Sequence, residues 1–425
     1  MSIFSSLYIG MSGMRTHESA IGVIGNNIAN VNTIGYKASR AVFADLLSAN
    51  VLGTAGASQA GQGAGLQAVQ RLVTQGAFLG TNVTTDLAIS GNGFFIVEDP
   101  DGGRYYSRNG QLKIDDEGFL TNMQGLRLQG YQADAGGEFR TQLSALDVGE
   151  VTAPPEATTE VTMVANFDHS APVMPPFDPN DIAGTTNGST PLTVYDTAGG
   201  AHEATVYFTQ TAPGEWQYNV VVPSNDLDGA GGSDPIVISS GTLLFNSDGK
   251  LQTETPQAGP FTFFGTGEQT LTLDFGDAID DGGDGSGSTS YVGDTGVSSA
   301  AGNGYGVGEL QFVEIGTDGV ISGHFSNGQD IALAQLALAN FQAPDQLDAL
   351  GGNLYASTLA SGDPAIGTAG NGGRGDILSG SLEQSNVDLT EEFSNLILAQ
   401  RGFQGSSRII TTADEMLTEV VNLKR

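Results

Sequence analysis

Two heptad repeats, one at each end of the chain, constrain its fold more than any other feature. Leu7, Met14, Ile21 and Ile28 are seven residues apart, and Ile3, Gly10, His17, Ile24 and Val31 form the neighbouring series that a coiled-coil seam requires. Near the other end Leu389, Leu396, Phe403, Ile410 and Leu417 repeat the spacing, and Phe393 extends the same apolar stripe. Asp388, with Glu391 three residues on, is placed to accept backbone N–H bonds at the start of that second helix. Both termini are therefore predicted to be long amphipathic helices. A helix of about 28 residues spans roughly 40 Å, and a single exposed stripe of that length needs a partner to be stable. The partner is the other end of the same chain or the ends of other copies, and spacing alone leaves both open. Leu7, Met14, Ile21, Ile24, Ile28, Val31, Leu389, Phe393, Leu396, Phe403, Ile410 and Leu417 are the candidate assembly residues.

Between the helices the pattern changes. Residues 46–72 are rich in Ala, Gly and Gln and carry little apolar mass, which predicts a linker. Beyond it the chain reads as β structure: Phe94–Val97, Leu192–Tyr195, Ala204–Phe208, Gln217–Val222 and Leu271–Phe275 are short apolar or alternating runs separated by turn residues. Asn109–Gly110 and Asn327–Gly328 suit type I′ hairpins, whose central residues take positive φ. The expected fold is mixed, mainly β with long terminal coiled-coil helices, and two nested β-rich domains of sandwich or barrel form. The expected divisions are an N-terminal helix over 1–45, the linker, a first β domain from 73–147 and 286–365, a second over 148–285, and a linker with the C-terminal helix over 366–425.

Charge and composition remove whole classes of function. With 15 Lys and Arg against 48 Asp and Glu, the formal charge is −33, which opposes a nucleic-acid partner. Lys250 is the sole cation between Thr141 and Gly373, so the middle is the water-facing part, and salt is expected to strengthen contacts between copies. There is no cysteine, which excludes disulfides and thiolate chemistry. The first residues do not form a Sec signal peptide, since no basic residue precedes Arg15, and no apolar run of roughly twenty residues could span a bilayer.

Catalytic and metal motifs are sparse. His17, His169, His202 and His324 are far apart in sequence, and no nucleophile elbow, P-loop or dinucleotide fingerprint is present. The acidic stretch Asp277–Gly287 departs from the order of an EF-hand and reads as a solvated linker, and Arg374-Gly-Asp376 is a tripeptide that arises by chance. Trp216 sits in a predicted strand and is expected in the core. No enzyme activity, cofactor or metal is expected.

Longer motifs carry a resemblance. Gly25-Asn-Asn-Ile-Ala-Asn-Val-Asn-Thr-Ile-Gly-Tyr-Lys37 resembles the N-terminal signature of the flagellar rod and hook axial proteins. Ser385–Glu392, Ala399-Gln-Arg401 and Thr411–Leu417 are similar to the C-terminal one. The motif positions are Asn26, Asn27, Asn30, Asn32, Gly35, Tyr36, Lys37, Asn386, Asp388, Gln400, Arg401 and Asp414. Leu87–Val97, Tyr106–Gly110 and Leu128–Tyr131 resemble the family's first outer domain, and Thr193–His202 with Thr205–Phe208 resembles the extra outer domain of its hook branch.

The resemblance implies a structural subunit of a curved, flexible tube that acts as a universal joint between rod and filament. It also implies export through the flagellum's own type III apparatus, a location on the outer side of the cell envelope, and as neighbours the distal rod protein, the hook cap protein and the hook–filament junction protein. A distal rod or other axial subunit is the alternative within the family, and a secreted adhesin or glycan-active protein on an axial scaffold is the alternative outside it.

Overall fold

The computed structural model describes residues 3–47, 49–53, 56–134, 137–149, 151–229 and 234–422. The chain divides into two units: residues 1–150, 312–324 and 330–425 form the first, and 151–311 with 325–329 form the second. Among the described residues three α-helices punctuate a mainly β chain: α1 (Ile3–Ala29), a single turn α2 (Ile182–Thr185) and α3 (Leu389–Asn422).

In the first unit α1 and α3 pack against each other, antiparallel. A side chain at Gly10 would lie 2.9 Å from Ile410 Cγ1, one at Gly13 2.7 Å from Ser406 Oγ, and one at Gly402 2.3 Å from the His17 ring. The small residues let the two backbones approach, and they fix the register: 10 beside 410, 13 beside 406, 17 beside 402. Helix α1 stops at Ala29, well short of residue 45, so Val31 lies outside it. The Asn30 amide reaches back to the Asn26 carbonyl and side chain at 2.9 and 3.0 Å, and Gly35 takes a φ of +70° that turns the chain into a strand.

The expected linker over 46–72 is instead β structure. Strand β1 (Ser39–Asp45) pairs antiparallel with β4 (Ala64–Arg71), and β2 (Ala49–Gly53) with β3 (Gly56–Ala60) between them. Backbone ladders need no apolar side chains, and the β1–β4 ladder is supported by packing on α1, a tertiary contact that low local hydrophobicity conceals. Strands Ala365–Thr368, Asp376–Ser379 and Ser381–Glu383 likewise replace the linker expected before α3. The first unit's sheet centres on Phe94–Glu98, Arg127–Ala133 and Asp330–Asn340. Phe341 stands edge-on to Phe94 and Tyr106, with ring centroids 5.9 and 4.8 Å away. Neither Asn109 nor Asn327 has a positive φ, so the type I′ turns are absent there. Gly110 serves a close approach instead, since a side chain would meet the Leu87 carbonyl oxygen at 1.7 Å.

In the second unit a five-stranded antiparallel meander runs through Gly188–Tyr195, Ala201–Ala212, Glu215–Val222, Ile236–Phe245 and Leu251–Ala258. It shares a core with a three-stranded sheet in which Glu160–Asn166 lies between Thr272–Asp274 and Gly296–Gly302. Residues 286–311 thus belong here and not to the first domain, because Gly296–Gly302 is bound edge to edge with Glu160–Asn166. Trp216 is fully buried, and Phe167 gathers Trp216, Phe208 and Phe245 at centroid distances of 5.1, 5.2 and 5.4 Å. Each such aromatic contributes roughly 1.5–3 kcal/mol by burial.

The Asp277–Gly287 stretch is not a free linker. Asp277 N–H donates to the Ser286 carbonyl, and Lys250 Nζ donates to the Asp284 carbonyl at 3.1 Å. Arg374 donates from Nε to the Thr368 carbonyl and Asp376 pairs with Ser90 in a strand, so the Arg-Gly-Asp tripeptide is engaged by the fold.

One acid in the second unit gives a pH prediction. Glu254 accepts from Phe275 N–H at 3.0 Å through one carboxyl oxygen, while the other is buried with no partner among the described residues. Burial, with Asp274 and Asp281 nearby, pushes its pKa up from 4.5 to about 7. The folded state then holds a proton that the unfolded chain releases between those values. Stability of the second unit should fall as pH rises from about 4.5 to 7 and level off above. Glu254→Gln should flatten that profile and raise stability at pH 8 by about 1–2 kcal/mol, a figure reduced for the group's partial exposure. Urea midpoints followed by Trp216 fluorescence at pH 5 and pH 8 check it; an unchanged wild-type midpoint would refute it.

Candidate assembly surface

Glu383 anchors the terminal helices to the first β unit. Its side chain is fully buried, and those of Lys37 and Arg108 are 1 % and 3 % exposed. Lys37 Nζ donates to Glu383 Oε1 at 2.6 Å and to the Thr74 carbonyl at 2.8 Å. Arg108 Nη1 donates to Glu383 Oε2 at 3.2 Å and Nη2 to the Gly91 carbonyl at 2.7 Å, its guanidinium lying 5.3 Å from the Phe94 ring centroid. Gly76 N–H donates to the same carboxylate, and Gly35 N–H to the Glu383 carbonyl. Burial draws the Lys37 ammonium below its ordinary pKa, with Glu383 opposing that shift. One carboxylate thereby gathers the segment after α1, the segment before α3 and the β sheet.

Two asparagines of the terminal motifs complete the junction. Asn27 Nδ2 donates to the Ser39 carbonyl at 2.7 Å and to Glu392 Oε1 at 2.8 Å, while its Oδ1 accepts from Ser39 N–H and Tyr36 Oη. Asn386 Oδ1 accepts from Ala38 N–H at 2.7 Å and Nδ2 donates to the Leu72 carbonyl at 2.9 Å. Asp388 Oδ1 accepts from Thr390 and Glu391 N–H, and these bonds hold its carboxyl below the usual range. Burial raises Glu392, against the lowering by Asn27. Asn26, Asn32, Gln400, Arg401 and Asp414 are exposed and play no part in this network.

The heptad residues divide into two sets. Leu396, Phe403, Ile410 and Leu417 are half-buried on the side of α3 that carries Ser406 and Gly402 toward α1. Leu7, Met14, Ile21 and Ile28 are half-buried on α1, as is Ile24 of the neighbouring series that contains Gly10 and His17. At Gly10 beside Ile410, and at His17 beside Gly402, positions read from spacing meet a partner within the chain. Other apolar side chains of the pair, of which spacing predicted only Leu389 and Phe393, are exposed: Phe393, Ile397, Leu398, Ile409, Met416 and Val420 on α3, with Phe4, Tyr8 and Met11 on α1. Their signal was present as apolar residues left over once a heptad had been assigned.

Similarity to known proteins follows this anatomy. A family model described as flagella basal body rod protein matches residues 7–37, which carry α1 and Lys37, and one described as flagellar basal body rod FlgEFG protein C-terminal matches 378–423, which carry Glu383 and α3. The flagellar hook protein FlgE/F/G D1 domain matches 88–166 and the flagellar basal body protein FlaE D2 domain 165–305. The flagellar hook protein FlgE of Salmonella typhimurium is 35 % identical over 422 residues, covering 97 % of this chain and 98 % of that protein.

The chain belongs to the flagellar hook protein family.

A second hook protein, FlgE of Borreliella burgdorferi, is 34 % identical with 99 % of each chain covered. The crystal structure of Helicobacter pylori flagellar hook protein FlgE2 aligns over 70 % of this chain and 98 % of its own, at 14 % identity and a TM-score of 0.45. Hook-family membership makes the chain a structural component of the flagellum.

Proposed function

We propose that this chain polymerises through its paired terminal helices into the curved, flexible tube of the hook, and that the tube passes motor torque from rod to filament as a universal joint. The observation that supports this most is the set of exposed apolar side chains on the α1–α3 pair. Water-exposed Phe, Ile, Leu and Met side chains in such number on two packed helices are unfavourable in a free monomer and mark an interaction surface. The second unit has the opposite character: Lys250 is its sole Lys or Arg, which keeps it soluble and suits it to the outside of a tube. On this reading the subunit works on the outer side of the cell envelope after export by the flagellar type III apparatus. It contacts the distal rod protein at one end of the tube, the hook cap protein during growth, and the hook–filament junction protein at the other end.

The test separates the two faces of α3. Ile397→Asp with Leu398→Asp should leave helix content and monomer stability within about 0.5 kcal/mol of the unsubstituted chain, as for other surface changes, and abolish polymer formation seen by negative-stain electron microscopy. Normal tubes from this variant would refute the assignment of that face.

A further inference from the structure

Beside the helix pair lies a feature that the junction does not use. Helix α1 and the β1–β4 ladder enclose an open groove of about 580 Å3, lined on one side by Tyr8, Met11 and Arg15 and on the other by Leu46 and Leu66. Tyr8, Met11, Leu46 and Leu66 are all exposed, so the groove, whose lining also includes Ser12, Thr16, Ser19 and Gln62, offers apolar side chains that the chain itself leaves uncovered. Arg15 is the one charged residue among its lining.

We infer that this groove receives the C-terminal half of α3 from a second copy of the chain, with Met416 and Val420 entering it and Glu415 and Glu419 meeting Arg15. The inference rests on the polymer proposed above and names its partner surface. Charge selects the occupant. Of the apolar residues that α3 exposes, Ile397 and Leu398 are followed by Arg401 and Ile409 adjoins Arg408, cations that would oppose Arg15. The C-terminal pair Met416 and Val420 is interleaved with the exposed acids Glu415 and Glu419, one turn apart on the same helix. A groove on one surface and a ridge on another form a heterologous contact, which builds a helical polymer when its rotation does not close into a ring.

The same chain cannot satisfy the contact by itself. The antiparallel register that sets Gly10 beside Ile410 puts Met416 near the first turn of α1, about two helical turns or roughly 11 Å along the axis from Met11. Because the chain lacks cysteine, introduced pairs can report this directly. A disulfide needs Cα atoms within about 7 Å, so Met11→Cys with Met416→Cys should bridge neighbouring copies and never one chain.

Two measurements on the full-length chain decide it. Arg15→Glu, with helix content unchanged by circular dichroism, should raise the concentration needed for assembly about tenfold. Adding Glu415→Arg and Glu419→Arg should restore assembly. Assembly of Arg15→Glu like the unsubstituted chain, or no rescue by the reversed acids, would overturn the pairing. In polymers of Met11→Cys with Met416→Cys, oxidation should give a ladder of disulfide-linked multimers, absent from Met11→Cys with Phe393→Cys. A ladder from the latter pair instead would place the N-terminal half of α3 in the groove. Failure of the unsubstituted chain to polymerise at all would count against the hook-tube reading rather than against the groove.

Discussion

Glu383→Ala should lower the stability of the first unit by about 3–5 kcal/mol, because it leaves the buried Lys37 and Arg108 cations without their shared carboxylate. No other substitution in the junction removes so much at once. Glu383 also accepts from Gly76 N–H, so the variant orphans a backbone donor along with two charges. Glu383→Gln should fall between the two, since it keeps acceptor and shape but not the charge. The measurement needs to separate the units, and the chain has a natural reporter: its one tryptophan, Trp216, is buried in the second. Circular dichroism at the helix wavelength should show the early loss, while the Trp216 fluorescence transition stays where it was. A Trp216 midpoint that moved in step would mean the two units unfold together, and an unshifted helix signal would mean the junction contributes nothing net.

Ile410→Asp should release α3 from α1. Ile410 sits where a side chain at Gly10 would touch it, so the contact is close, and placing an unpaired carboxylate there costs about 2–4 kcal/mol. Leu396→Asp acts at the same seam and should behave alike. The expected signature is lower helix content, loss of polymer, and an unchanged Trp216 transition. It differs from that of Ile397→Asp with Leu398→Asp, which should lose polymer with helix content intact. If Ile410→Asp kept its helix content and lost only assembly, the seam would serve other copies and the intrachain pairing would be wrong.

The contrast between these variants marks how far spacing could be read. Heptads located both terminal helices, and Asp388 located the start of α3 at Leu389, because periodicity and capping are local properties. Spacing could not say which partner a seam would take, since another copy and the other end of the chain offer the same chemistry. The Ala- and Gly-rich stretch after residue 46 misled for a related reason. Its strands are held by backbone bonds and, for Ala64–Arg71, by contact with α1, and neither leaves a mark in side-chain hydrophobicity. Helix α1 was overextended because its stop depends on Asn30 folding back on Asn26 and on Gly35, signals weaker than the heptad running through them.

The buried junction was the least legible part. Lys37 stood in a recognisable motif, but Arg108 and Glu383 lie 71 and 346 residues away, and nothing near either shows that they meet. By itself the sequence determined the terminal helices, the β character between them, the acidic middle and the family, all of which follow from local pattern or from long motifs. Only the tertiary structure decided that the terminal helices pack on each other, that a single carboxylate joins both termini to the sheet, and which apolar side chains remain exposed. The physical reason is that burial and charge pairing belong to residues brought together by the fold. A heptad records that a helix has an apolar side without recording what covers it.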